Sequence, residues 1–190
     1  LTLVKSAADL NGLIARRGVK GPSQMGALLS IEGLQNLEGK RANLNVLFNA
    51  GYRMAGLAHF FDNEVSGSMH GETKGGLTPL GREIVRDMEA KGMVVDIAHA
   101  SHTAVAEILS MVTKPVVSSH GGVQATCKVN RNLTDAEIRG VAKTGGVIGI
   151  GSIASCRRAL ADTIEYVKGR RAFGQPIATF QNTQFKLAEL

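Results

Sequence analysis

Between Ala27 and Gly151 the chain alternates short apolar runs with longer stretches whose apolar residues recur at helical spacing. The runs are Ala27–Ile31, Arg53–Ala58, Met93–Ile97, Pro115–Ser118 and Gly146–Ile150. Each is bounded by Gly or Pro and several are rich in Val and Ile, which predicts strands buried on both faces. The intervening helices are predicted over Leu37–Ala50, from Thr78-Pro79 to Lys91-Gly92, over Ser101–Met111 and over Thr134–Lys143. Thr78 is placed to cap and Pro79 to occupy the first helical turn, while Thr134-Asp135-Ala136-Glu137 has the form of a capping box. Strand and helix in alternation with short links mean parallel β/α units. The exception to short links is the Gly-rich stretch Asp62–Gly76, a long loop of the kind that carries function and is expected to be mobile.

After Gly151 the rhythm stops. Ile153–Val167 predicts one long helix, Arg170–Ile177 a turn, and Thr179–Leu190 a second helix, with no strand between the two helices. A boundary is therefore expected near residue 151, giving a region 1–151 of β/α units and a helical region 152–190. At 190 residues the chain is short for a complete eight-stranded β/α barrel, which usually takes about 250. The fold class expected is α/β, a partial TIM-type barrel followed by a helical tail.

Composition narrows the function classes. The net charge of +6 is scattered apart from pairs such as Arg157-Arg158 and Arg170-Arg171, and no basic stripe is interleaved with aromatics, so nucleic acid is not an expected partner. No run approaches the length of a membrane span. No signal-peptide pattern opens the chain, which favours the cytoplasm, while a first residue of Leu1 suggests that the natural start is missing. Cys127 and Cys156 fit no CxxC pattern, and two free thiols are favoured over one disulfide between them.

The chemistry lies at the strand ends. Glu32 follows the first run, His59 the second, His99 the third and His120 the fourth. In a parallel barrel all strand C-termini face one rim, where active sites form. Carboxylate and imidazoles converging there suit zinc, and Glu32 is placed to bridge two metals. A lone strand-end histidine is more often a hydrogen-bonded structural residue; four ionisable strand ends in one short chain favour a metal site. His70, in the long loop, and His102, expected on the exposed start of a helix, are weaker candidates. Arg131 is placed to grip a carboxylate bidentately or to form a surface ion pair. Asp96 is expected to be buried, supporting either the fold or the ligands.

Several stretches resemble the renal or membrane dipeptidase family of zinc metallopeptidases. They are Ser30-Ile31-Glu32-Gly33, Leu57-Ala58-His59 with Asn63, Gly76-Leu77-Thr78-Pro79-Leu80-Gly81, Gly92 through His99, Ser118-Ser119-His120, Arg131-Asn132-Leu133-Thr134-Asp135 and Gly145-Gly146-Val147-Ile148-Gly149. The resemblance covers roughly residues 1–151 and implies that the strands are about the third to seventh of the barrel. It further implies that Glu32 bridges two zinc ions, that His99 and His120 ligate one of them, that His59 contacts the substrate and steadies the tetrahedral intermediate, and that Arg131 holds the terminal carboxylate. The activity implied is hydrolysis of dipeptides by a metal-activated hydroxide. The partners to consider are a dipeptide and a second copy of the chain in a homodimer. The family's His-x-Asp pair, which supplies the other zinc, occurs nowhere in this sequence, and its late catalytic Asp has no counterpart, so weak or no turnover is expected of this polypeptide by itself.

The tail resembles something else. Ala161 to Lys168, Arg170-Arg171-Ala172-Phe173-Gly174-Gln175-Pro176-Ile177 and Phe180 to Glu189 are similar to the helical C-terminal domain of acyl-CoA dehydrogenases. That resemblance implies roles for Arg170, Phe173 and Gln181 in holding FAD, and offers a fragment of an FAD-dependent acyl-CoA dehydrogenase as the alternative function. It also suggests a join of two reading frames at Gly149-Ile150-Gly151. A third alternative is a non-catalytic remnant that folds with a partner.

Overall fold

Five parallel strands in chain order make the sheet that carries the strand-end residues: β3 (Leu29–Glu32), β4 (Tyr52–Gly56), β5 (Val94–Asp96), β6 (Val117–Ser118) and β7 (Val147–Ile148). Two two-residue strands and a helix precede them, β1 (Thr2–Leu3), α1 (Ala7–Arg17) and β2 (Gly26–Ala27), with β1 parallel to β2. The computed structural model describes residues 1–17, 25–149 and 151–188, and the side chains of 151–158 are outside that description. The expectations for Cys156, the Arg157-Arg158 pair and the join at Ile150 thus lie outside the described residues. Among the described residues no helix is long and apolar enough to cross a membrane.

The chain divides into two compact units, Leu1–Gly149 and Ile150–Leu190. In the first, every strand-to-strand connection from β3 to β7 returns the chain parallel to its predecessor. The register pairs Glu32 with Gly56, Gly56 with Asp96, and Asp96 with Val117, so the C-terminal strand ends lie along one edge of the sheet. Helices α2 (Asn43–Ala50), α3 (Pro79–Lys91), α4 (His102–Met111) and α5 (Asp135–Lys143) fill the connections. Their apolar stripes close the core: Leu44 from α2, Ile84, Val85 and Met88 from α3, Ala104, Val105 and Ile108 from α4 and Val141 from α5 are buried with Ala55, Leu57, Val95, Ile97 and Val116. Burying one such large aliphatic side chain contributes about 1.5–3 kcal/mol, which is what holds the strand ends in place.

The helix starts follow the sequence. Thr78 and Ser101 accept hydrogen bonds at 3.0 Å from Gly81 N and Ala104 N, and Thr134 with Glu137 forms the reciprocal capping box. Gly92 ends α3 at φ 71°, a left-handed cap that a side chain would strain. The expected helix Leu37–Ala50 is instead broken: a 3-10 turn covers Gln35–Leu37, Glu38 and Gly39 take positive φ, and the α-helix starts at Asn43. The N-terminal strand–helix–strand was not anticipated from the sequence.

The loop after β4, expected to be mobile, is partly buried and held by side-chain hydrogen bonds. Val65 to Met69 are buried. Asn63 Oδ1 accepts from Val65 N and Ser66 N, and Asp62 accepts from Ser68 N, Thr73 N and Thr73 Oγ1, each at 2.8 Å. Burial raises the Asp62 pKa, but these donors outweigh it and leave the carboxyl below its ordinary value.

In the second unit, α6 (Gly151–Gly169) leads to an antiparallel pair, β8 (Arg171–Ala172) and β9 (Gln175–Pro176), then a 3-10 turn and α7 (Gln181–Ala188). Phe173 and Gly174 link β8 to β9 at φ 50° and 82°, the two positive values a tight two-residue hairpin requires.

Candidate metal centre

Glu32 ends β3, and its carboxylate reaches across the sheet edge to residues that follow β5 and β6. Its Oε1 lies 3.2 Å from His99 Nε2 and 3.0 Å from His120 Nε2, while the two Nε2 atoms lie 2.9 Å apart. The other carboxylate oxygen, Oε2, faces His59 Nε2 at 3.6 Å. Glu32, His99 and His120 form a group able to hold a metal ion. The structure therefore brings together four strand-end residues that are widely spaced in sequence.

Each ligand candidate is held by its backbone. Gly33 follows Glu32 at φ 85°, and its N–H donates to the Gly56 carbonyl at 3.0 Å, tying the end of β3 to that of β4. A side chain there would be strained and would meet Gln35 and His59. His99 is buried and sits in the left-handed region at φ 66°, which costs a non-glycine residue about 1–3 kcal/mol. Met69 N donates to the His99 carbonyl at 2.9 Å, so the ordered loop after β4 fixes this strained residue. His120 is exposed, with Ser119 Oγ 2.8 Å from its Nδ1. When Nε2 is unprotonated, Nδ1–H donates to that oxygen and sets the ring.

The electrostatics favour neutral imidazole at His99. Burial, followed by the positive charge of Arg131 and of the neighbouring histidines, pushes its pKa down to about 3. His99 Nδ1 is buried with no hydrogen-bond partner among the described residues. The ring is packed instead, with His59 and His70 centroids at 4.5 and 5.3 Å and Phe60 at 5.8 Å. His70 is thus beside the cluster, although outside the three-residue group.

Arg131 also comes to this edge, from the segment between β6 and α5. Its Nη2 donates to the His120 carbonyl at 3.0 Å and lies 3.4 Å from His99 Nε2. Burial lowers its pKa and the charges of Glu32 and Asp96 raise it, with a net displacement downward. Asn130 Nδ2 donates to Met69 O at 2.6 Å, joining this segment to the loop after β4. His102 departs from the expectation of an exposed helix start: it is half-buried, and its Nδ1 lies 2.7 Å from Oε1 of the buried Glu137. Asp96 is buried and its Oδ1 accepts from Ala98 N at 2.9 Å and Ser119 N at 3.0 Å. The tail residues Arg170, Phe173 and Gln181 belong to the second unit; Phe173 is almost fully exposed at its hairpin.

The donor set itself tests for a metal. Two imidazole lone pairs and a carboxylate oxygen converge within 3.2 Å of one another. Imidazole nitrogen and carboxylate oxygen are the donor types that zinc accepts, and a cation among them would take all three lone pairs.

Comparison with known proteins places this arrangement. Residues 1–174 match the family described as membrane dipeptidase, peptidase family M19. A dipeptidase (aclJ) of Aspergillus oryzae is 31% identical over 158 residues, covering 77% of this chain and 37% of that protein. An uncharacterised Klebsiella pneumoniae protein from the pqqA 5′ region is 30% identical over 156 residues, covering 79% and 55%. The chain thus spans between about a third and just over half of these curated relatives. The crystal structure of a probable dipeptidase, PvdM, from Pseudomonas aeruginosa superposes with TM-score 0.72 at 21% identity, covering 100% of this chain and 52% of the other. A Rhodobacter sphaeroides metallopeptidase bearing a phosphinate mimic of L-Ala-D-Ala gives TM-score 0.66 at 20% identity, covering 78% and 42%. These structural likenesses establish the fold.

Proposed function

The chain belongs to the membrane dipeptidase family, peptidase family M19, and on that premise we propose that it carries part of the active site of a zinc-dependent dipeptidase on five strands of a β/α barrel. The observation that carries this is the convergence of Glu32 Oε1, His99 Nε2 and His120 Nε2. These three would hold one zinc ion, and Glu32 Oε2, turned toward His59, would be available to a second. Bound zinc supplies a Lewis acid that polarises the peptide carbonyl and acidifies a water.

The protein's own groups do the rest. Arg131, half-buried and anchored on the His120 carbonyl, presents a guanidinium beside the cluster that would bind the terminal carboxylate of a dipeptide. His59, packed edge-on against His99 and facing Glu32 Oε2, would donate a hydrogen bond to the developing oxyanion.

The test is binding of a phosphinate dipeptide mimic to the chain loaded with zinc. Binding that requires both zinc and Arg131 is expected, with Arg131→Ala weakening it by about 1.5–3 kcal/mol, the range for a hydrogen bond to a charged group. Binding that ignores zinc or Arg131 overturns the reading. Turnover of dipeptides by this polypeptide is expected to be weak, because no His-x-Asp pair is present in it.

The second reading concerns residues 152–190 as a separate acyl-CoA dehydrogenase-like segment, with Arg170, Phe173 and Gln181 directed to FAD. It is supported by the division of the chain at Gly149 and Ile150. The family match across residues 1–174 weighs against it. Bound flavin absorbance in the purified chain is its direct test.

A further inference from the structure

Strands β5 and β6 pair at one register position only, Asp96 with Val117, and the bond from Ile97 N to Val117 O is the last rung before the chain leaves the sheet. His99 and His120 both lie beyond it. The backbone N–H groups immediately before them, on Ala98 and Ser119, therefore need acceptors outside the ladder. Both donate to one atom, Asp96 Oδ1, at 2.9 and 3.0 Å. The bond to Ala98 closes a side-chain turn two residues on, of the type in which Asp replaces a backbone acceptor. That turn leads directly into the left-handed φ of 66° at His99. The bond to Ser119 fixes the residue whose hydroxyl sits 2.8 Å from His120 Nδ1.

We infer that Asp96 is a positioning residue for the metal centre, its single oxygen pinning the two strand ends so that His99 and His120 converge. This inference rests on the zinc reading above. Asp96 is 2% exposed, which shields its two N–H donors from solvent. What matters is an acceptor at this place, and a neutral amide oxygen can supply it.

The experiment compares the wild-type chain with Asp96→Asn, Asp96→Glu and Asp96→Ser. Zinc affinity is measured by isothermal titration, and nuclear Overhauser contacts between the His99 and His120 rings are measured without metal. Asp96→Asn should stay close to wild type in both. Asp96→Glu, which keeps the charge but displaces the oxygen, and Asp96→Ser, which falls short, should lose the ring contacts and weaken zinc by about 10- to 100-fold, the range for outer-shell changes. The opposite ranking, with Glu like wild type and Asn defective, overturns the inference, as does wild-type behaviour of all three. If the wild type binds no zinc, the metal reading fails while the ring contacts still decide the role of Asp96. If the Glu and Ser variants unfold, a folded Asn variant that has lost the ring contacts overturns it, and one that retains them supports it.

Discussion

The Nε2 atoms of His99 and His120 lie 2.9 Å apart although 21 positions separate the residues in sequence. Both also lie within 3.2 Å of Glu32 Oε1. With His99 held neutral, its ring brings a lone pair and not a charge to this meeting. Replacing either histidine by Ala, or Glu32 by Gln, is expected to weaken zinc by more than the roughly 10- to 100-fold that an outer-shell change costs. Isothermal titration with zinc, checked by thermal unfolding of the metal-free variants, measures this.

Gly81 sits inside α3, where Ala ordinarily gains about 1 kcal/mol in helix propensity over Gly. Here a Cβ would run into the Val65 carbonyl oxygen, in the buried loop whose Met69 N bonds the His99 carbonyl. Gly81→Ala is therefore expected to destabilise by about 1–3 kcal/mol, as overpacking does. Urea denaturation tests the sign, since the propensity effect alone would be stabilising.

Arg41 bonds Asp87 bidentately, Nε to Oδ2 at 2.6 Å and Nη2 to Oδ1 at 2.7 Å. That hydrogen-bonded guanidinium lowers the Asp87 pKa, against an opposing effect of burial. A depressed folded-state pKa gives stability that is present above the unfolded value of about 3.9 and is lost as pH falls through the folded value. Asp87→Asn should cost about 0.2–1 kcal/mol at neutral pH, as for other surface pairs. The difference from wild type should shrink as pH falls below about 3.9 and vanish once the carboxyl is protonated in the folded state as well. Paired denaturation curves across this range are the check, and a constant difference would contradict it.

Thr134 accepts from Glu137 N, and Glu137 Oε2 accepts from Thr134 N and Oγ1. Thr134→Ala should cost about 0.5–2 kcal/mol, the usual price of a lost cap. Because Glu137 Oε1 also meets His102, the loss should appear as a lower midpoint on thermal unfolding.

Much of this was legible along the chain, for identifiable reasons. Val-rich runs and capped helices marked the parallel units, and the polar residues directly after the runs marked the rim. What escaped depends on contacts distant in sequence. Thr2–Leu3 is a strand only because Gly26–Ala27 pairs with it. The Leu37–Ala50 periodicity concealed a break at Glu38 and Gly39, whose positive φ values no apolar pattern records. The loop after β4 looked mobile because its glycines were visible, whereas the hydrogen bonds of Asp62 and Asn63 that order it were not. Asp96 was expected either to support the ligands or to be buried for the fold, but the sequence did not reveal that it ties two strand ends together.

Zinc K-edge absorption spectroscopy of the chain loaded with one equivalent of zinc addresses the centre most directly. Two imidazole nitrogens at about 2.0–2.1 Å with oxygen donors completing the shell are expected. A shell containing sulfur from Cys127, or one lacking the imidazole pair, would contradict the assignment of Glu32, His99 and His120.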